Sequence, residues 1–207
     1  MPWVIRDAPF DQTLKEAARR SQAVERTLER IARRLSEEGI EYALIGGMAL
    51  MAHGYVRFTN DVDLLTSAAG LEAIHQRLIG RGYRPSFPGA RRTMRDTETG
   101  IDVEFITSGE YPGDGKPKPV RFPEPGAFSV VRGDVYVLDL PKIIELKLAS
   151  GLTAEHRRYR DLGDVQSLIS ALELARDLGD ALDPSVRDEY YRLWDADRNA
   201  EGPDRQD

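Results

Sequence analysis

The sequence predicts an α/β protein of the α+β kind: a sheet flanked by helices, followed by a helical C-terminal part. Three observations predict it. Short apolar or alternating segments interleave with helical stripes as far as about residue 139. A glycine pair, Gly46-Gly47, turns one such segment, Tyr42-Ala43-Leu44-Ile45, into a helical stretch from Met48 to His53. Beyond Leu140-Pro141 only helical patterns continue.

The chain has 207 residues, of which 41% are apolar and 31% charged, an ordinary balance for a soluble globular protein. It divides into an arm and helix (1–39), a core (40–139) and a helical part (140–207), expected to form one compact unit. There is no cysteine, so disulfides and thiolate metal sites are excluded. His53, His75 and His156 have no zinc spacing. No apolar run is long enough for a membrane span, and the N-terminus lacks a signal-peptide pattern, so a cytoplasmic protein is expected. A net charge of −6 argues against indiscriminate nucleic-acid coating. Arginines nevertheless cluster at Arg81, Arg84, Arg91, Arg92 and Arg95, and at Arg157, Arg158 and Arg160.

Residues 1–9 carry two prolines and read as an irregular arm. From about Phe10 to Glu38, Val24, Leu28, Ile31 and Leu35 form one apolar stripe on a charged helix, and Gly39 is its stop. The strand, Gly-Gly turn and short helix come next. Asp61-Val62-Asp63-Leu64-Leu65 then alternates as a strand. Residues two apart share a face, so Asp61 and Asp63 project together while Val62 and Leu64 face the core. Two carboxylates forced side by side repel and are stabilised by a shared cation, and oxygen donors suit Mg²⁺ or Mn²⁺. The glycines open onto a helix N-terminus, where backbone N–H groups accept phosphate oxygens.

A helix follows from about Ala69 to Arg81, ended by Gly82, and Tyr83-Arg84-Pro85 is extended. Arg92–Thr97 and Ile101–Ile106 read as strands around a turn at 97–100. In the second, Asp102 and Glu104 share one face, so each is a candidate third carboxylate. The segment from Ser108 to Pro125 holds five prolines and three glycines, which bar regular structure. Its Lys116, Lys118 and Arg121 either meet phosphates at a site mouth or decorate a surface loop ordered by Tyr111 and Phe122. Phe128–Val131 and Val135–Leu138 form a hairpin turning at Arg132-Gly133-Asp134. Leu140–Ser150 is a helix with Pro141 in its first turn and Lys147 among apolar residues. The next helix carries Arg157-Arg158-Tyr159-Arg160-Asp161-Leu162-Gly163-Asp164-Val165, with Asp161 and Asp164 on one face. It continues through Leu168, Ile169, Leu172 and Leu174. A last amphipathic helix spans about Pro184–Trp194, before a polar tail from Asp195.

The stretch Ile45-Gly46-Gly47, then Arg57-Phe58-Thr59-Asn60-Asp61-Val62-Asp63, resembles the signature of the nucleotidyltransferase superfamily, whose fold is shared with DNA polymerase beta. Its Arg-x-Thr-x-Asp-x-Asp form is most similar to the branch of AbiEii-type toxins and minimal nucleotidyltransferases. The resemblance covers about residues 25–175. It implies a small mixed sheet and a nucleotidyltransferase fold, with NTP as substrate. Two Mg²⁺ or Mn²⁺ ions would be held by Asp61, Asp63 and a third carboxylate, Glu104 or Asp102, with Glu104 favoured. Catalytic residues would be Asp61, Asp63, Glu104 and Lys147. Nucleotide would meet Gly46, Gly47, Arg57, Thr59, Lys147, Arg160 and Asp161. Arg160 stands where this branch is expected to carry lysine. The same resemblance implies an RNA, tRNA or protein acceptor, with small molecules still open, and an antitoxin partner. The other function class is a nucleotide-binding or regulatory member without turnover. That all three carboxylate positions are filled favours the enzyme.

Overall fold

In a computed structural model, residues 10–200 are described. The expected arm at 1–9 and the end of the tail, 201–207, lie outside them. Seven strands form one mixed sheet in the order β3-β4-β5-β2-β1-β7-β6. They are β1 (Tyr42–Ile45), β2 (Asp61–Thr66), β3 (Tyr83–Pro85), β4 (Thr93–Asp96), β5 (Asp102–Thr107), β6 (Ser129–Arg132) and β7 (Val135–Leu138). The helices are α1 (Phe10–Glu37), α2 (Gly46–Ala52), α3 (Ala68–Leu78), α4 (Leu140–Thr153), α5 (Glu155–Ala171) and α6 (Pro184–Ala200).

Local chemistry accounts for the boundaries. Gly39 takes a φ of 65°, and the Ile40 N–H returns to the Leu35 carbonyl at 2.9 Å, closing α1. Ser67 caps α3 by accepting from the Gly70 N–H at 2.9 Å. Asp139 caps α4 through the Lys142 N–H at 2.9 Å. The two-residue turn Gly133-Asp134 joins β6 to β7, with Gly133 at a φ of 59°. The last helix runs past Trp194 to Ala200, where a polar tail was expected. Gln166 of α5 helps hold this extension, donating to the Leu193 carbonyl and to Asp197. In the other direction, α5 stops at Ala171, short of Leu172 and Leu174.

One hydrophobic core joins the layers. The expected stripe of α1 is buried, together with Leu44, Val62, Leu64, Val103 and Phe105 of the central strands and Ile144, Leu148, Leu168 and Tyr190 of α4–α6. α4 and α5 pack closely because Gly151 faces Leu162, where a Cβ would stand 2.8 Å from Leu162 side-chain atoms.

Asp96, fully buried, ties α1 to the β4–β5 hairpin. It accepts from Arg30 Nε at 3.0 Å and from the N–H groups of Glu98 and Thr99 at 2.7 and 3.2 Å. Asp96→Ala leaves those donors without their acceptor and should cost about 2–4 kcal/mol, read from the urea midpoint. Asp96→Asn, which keeps an acceptor oxygen, should cost clearly less.

Candidate active site

Strand register builds the site. β2 runs parallel to β5, placing Asp61 beside Asp102 and Asp63 beside Glu104. On its other side β2 pairs with β1, with Ile45 opposite Asp63, so the Gly46-Gly47 bend lies directly against the second aspartate. The carboxylates of Asp61, Asp63 and Glu104 converge, each offering an oxygen within 4.8 Å of the others. Three carboxylate oxygens at this spacing fit a hard divalent cation.

Each glycine serves an acidic neighbour. Gly46 takes a φ of 66°, and a Cβ there would overlap the Asp63 carboxylate. A Cβ on Gly47 would stand 2.8 Å from Thr59 Cβ. Thr59 in turn donates to Asp61 Oδ1 at 2.8 Å, bracing that side chain.

The carboxylates open onto a cleft of about 470 Å³ between the sheet and α4–α5. Ten of the eleven candidate residues line it. The exception, Asp102, shares a strand face with Glu104 but stays outside the cluster. Arg95, its partner on β4, holds both its oxygens at 2.9 and 2.7 Å, and Ser86 Oγ donates at 2.7 Å. The Arg95 hydrogen bonds hold its carboxyl below the ordinary aspartate value. Asp102 thus anchors Arg95 and lies outside the cluster of Asp61, Asp63 and Glu104.

Lys147 is neither a free charge nor a snorkelling one. It pairs with Asp164 at 2.6 Å and Asp161 at 3.3 Å. Arg57 reaches the same Asp164 at 2.7 Å, and Ser150 Oγ donates to Asp161 at 2.6 Å. The partners of these two aspartates thus come from α4 and the α2–β2 loop, not from the arginines preceding them on α5. Arg157 and Arg160 are exposed, line the cleft and make no ion pair among the described residues.

Charge crowding marks Asp63. Burial first, then the nearby charges of Asp61 and Glu104, push its carboxyl up to about 7, while Arg160 and Lys147 pull it down. Glu104 is raised by burial and by Asp61 and Asp102, and lowered by Arg157. Arg157 and Arg160 therefore each act on a different member of the cluster.

The family model described as uncharacterised nucleotidyltransferase matches residues 6–199. The chain belongs to this nucleotidyltransferase family. No curated protein matches it. Three solved structures are similar to this nucleotidyltransferase. An antigenic nucleotidyltransferase-like protein from Paracoccidioides brasiliensis is 14% identical, with 89% of this chain and 90% of that one covered at a TM-score of 0.49. A Thermotoga maritima protein with a provisional nucleotidyltransferase assignment is 18% identical, with 72% and 89% covered at 0.41. ANT(2")-Ia in complex with adenylyl-2"-tobramycin is 13% identical, with 87% and 91% covered at 0.38.

Two residues beside the cleft are absent from the candidate site residues of the sequence reading. Asp164 stands there as one of a pair with Asp161 in a stretch similar to the AbiEii-type branch, and Arg157 as part of a basic run. Helical spacing was the available signal: 157, 160, 161 and 164 recur on one face, which excludes Arg158. Lys118 moves the other way. It pairs with Asp114 and donates to Thr153 Oγ1 at 2.8 Å, pinning its own loop.

An unfolded aspartate releases its proton near 3.8, whereas Asp63 in the fold holds one to about 7. The folded state binds more protons between these values, so the metal-free protein loses stability as pH rises from about 4 to 7. Asp63→Asn removes this loss. The variant should exceed the parent by about 1–2 kcal/mol at pH 8, with the gap closing toward pH 4, read by denaturant titration in chelator. Gly46→Ala meets both a positive φ and the Asp63 carboxylate, and should destabilise by at least about 1–2 kcal/mol in the same assay.

Proposed function

We propose that this nucleotidyltransferase moves a nucleoside monophosphate from an NTP to an acceptor hydroxyl. The observation that carries the reading is the meeting of Asp61, Asp63 and Glu104 on adjacent parallel strands, at a cleft that also exposes Arg157 and Arg160. Asp61, Asp63 and Glu104 would hold Mg²⁺ or Mn²⁺, which when bound lowers the negative charge that repels the attacking oxygen and stabilises departing pyrophosphate.

The chain's own groups do the rest. Arg157 and Arg160 bind triphosphate oxygens, because their guanidinium groups are free of carboxylate partners. Gly46 keeps the backbone clear where Asp63 turns toward the cleft, and Thr59 holds Asp61 in its rotamer. Arg57 and Lys147, held by Asp164 and Asp161, fix α5 against the α2–β2 loop and so set the distance of Arg160 from the carboxylates. The acceptor hydroxyl releases its proton to solvent and its oxygen bonds to the α-phosphorus, as the bond from that phosphorus to the β-phosphate bridge breaks and pyrophosphate leaves.

We further propose that the chain is an AbiEii-type member, a reading supported by its Arg57-x-Thr59-x-Asp61-x-Asp63 stretch and the Asp161-x-x-Asp164 pair that follows Arg160. That branch gives the acceptor as RNA, such as a tRNA end, or a protein hydroxyl. On that reading an antitoxin would be its partner. No described helix is long and apolar enough to cross a membrane.

The test is label transfer from α-³²P-NTP mixtures to total RNA or to protein. The parent should incorporate label, and Asp61→Ala/Asp63→Ala should lose at least about a hundredfold. Tight NTP–Mg²⁺ binding with no incorporation into RNA, protein or the chain itself would instead identify a nucleotide-binding regulator.

A further inference from the structure

The loop joining β5 to β6 plays no part in the chemistry above, yet it forms one wall of the cleft. Its prolines and glycines bar regular structure, yet it is clamped at both ends. At the neck, the Gly109 N–H donates to the Phe122 carbonyl and the Phe122 N–H to the Glu110 carbonyl, each at 2.8 Å. Arg92 pairs with Glu110 at 2.6 Å, and Ser108 Oγ donates to Glu124 at 2.9 Å. At the tip, Lys118 Nζ donates to the Pro112 carbonyl at 2.6 Å and to Thr153 of α4. Gly113 lies against α4 so closely that a Cβ would stand 2.9 Å from the Ser150 backbone. This is a fixed wall.

Between the clamps, Tyr111 and Phe122 line the cleft that also holds the carboxylates. Both rings are half-buried, unlike Phe58 and Phe87, which are 83% and 61% exposed. Phe122 packs on the hydrophobic core, which fixes its ring. Tyr111 stands apart from that core, and its hydroxyl makes no hydrogen bond among the described residues. Leu138 and Ile143 add apolar surface to the same cleft. The cleft is thus chemically two-sided: one set of walls carries carboxylates and free guanidinium groups, the other aromatic rings. An NTP has the same division, an anionic chain and a flat aromatic base.

We infer that Tyr111, which lines the cleft together with Phe122, is the platform on which the nucleobase of the bound NTP stacks. The inference rests on the nucleotidyltransferase reading and extends it to how the base is held. Stacking on a ring face uses the π-system common to all bases. The charged neighbours Arg92 and Glu110 are occupied with each other, so the subsite selects for a flat base rather than for one base over another.

The experiment titrates the full chain calorimetrically with ATP and, separately, with inorganic tripolyphosphate, both with Mg²⁺. The parent should bind ATP more tightly than tripolyphosphate. Tyr111→Ala should weaken ATP by about 5- to 100-fold while leaving tripolyphosphate unchanged, and Tyr111→Phe should stay within about twofold of the parent for both. Thermal melting confirms that each variant is folded. If the parent binds ATP and Tyr111→Ala binds it equally well, or loses ATP and tripolyphosphate alike, the platform is overturned while the nucleotide reading stands. If the parent binds neither compound, both fall together.

Discussion

Repulsion among three carboxylates is the constraint around which this structure is arranged. The parallel register of β2 and β5 forces Asp63 and Glu104 side by side, and the two-residue period adds Asp61 to the same face. No fold gathers such a cluster for its own stability, since each added charge raises the cost of the next. The surroundings reduce that cost without abolishing it. Arg160 and Lys147 act on Asp63 from across the cleft, and Arg157 acts on Glu104. Bringing α5 close enough to do so is the task of the helical C-terminal part.

That approach depends on a second, compensated cluster. Asp164 accepts from Arg57 and Lys147 at once, and Asp161 from Lys147 and Ser150. Three separate pieces of chain meet there: the α2–β2 loop, α4 and α5. Their charges are matched, so this cluster holds elements together, whereas the carboxylate cluster is unmatched. The contrast separates what joins the elements from what is offered to a ligand. It also distributes the cations: Arg57 and Lys147 are committed to carboxylates, while Arg157 and Arg160 line the cleft without carboxylate partners among the described residues.

Much of the fold was legible because its signals are local. The period of two in Asp61–Leu65, the Gly-Gly bend and the α1 stripe each lie within one short segment, and the strands and helices fall close to where those patterns put them. Neighbour relations across the sheet were not legible. Strand order β5-β2-β1-β7 is a long-range outcome, and no spacing in the chain states that Arg95 faces Asp102. The loop at 108–125 shows the same limit. Its prolines exclude helix and strand. They say nothing of Lys118 reaching Thr153, a contact that spans 35 residues and makes the segment a wall.

The contrast between Asp102 and Glu104 shows how a neighbouring strand can decide which carboxylate joins a cluster. Both point to one face of β5, and by length alone the aspartate is the more compact ligand. β4 sets Arg95 opposite Asp102 but Thr93 opposite Glu104. The guanidinium takes both oxygens of the aspartate, and a bidentate pair of this kind is costly to break. Threonine makes no such demand, so the glutamate stays unpaired beside Asp61 and Asp63, its proton affinity raised by burial and then by the charges of Asp61 and Asp102. The residue opposite on β4, more than the ligand's own length, thus determines which carboxylate joins the cluster.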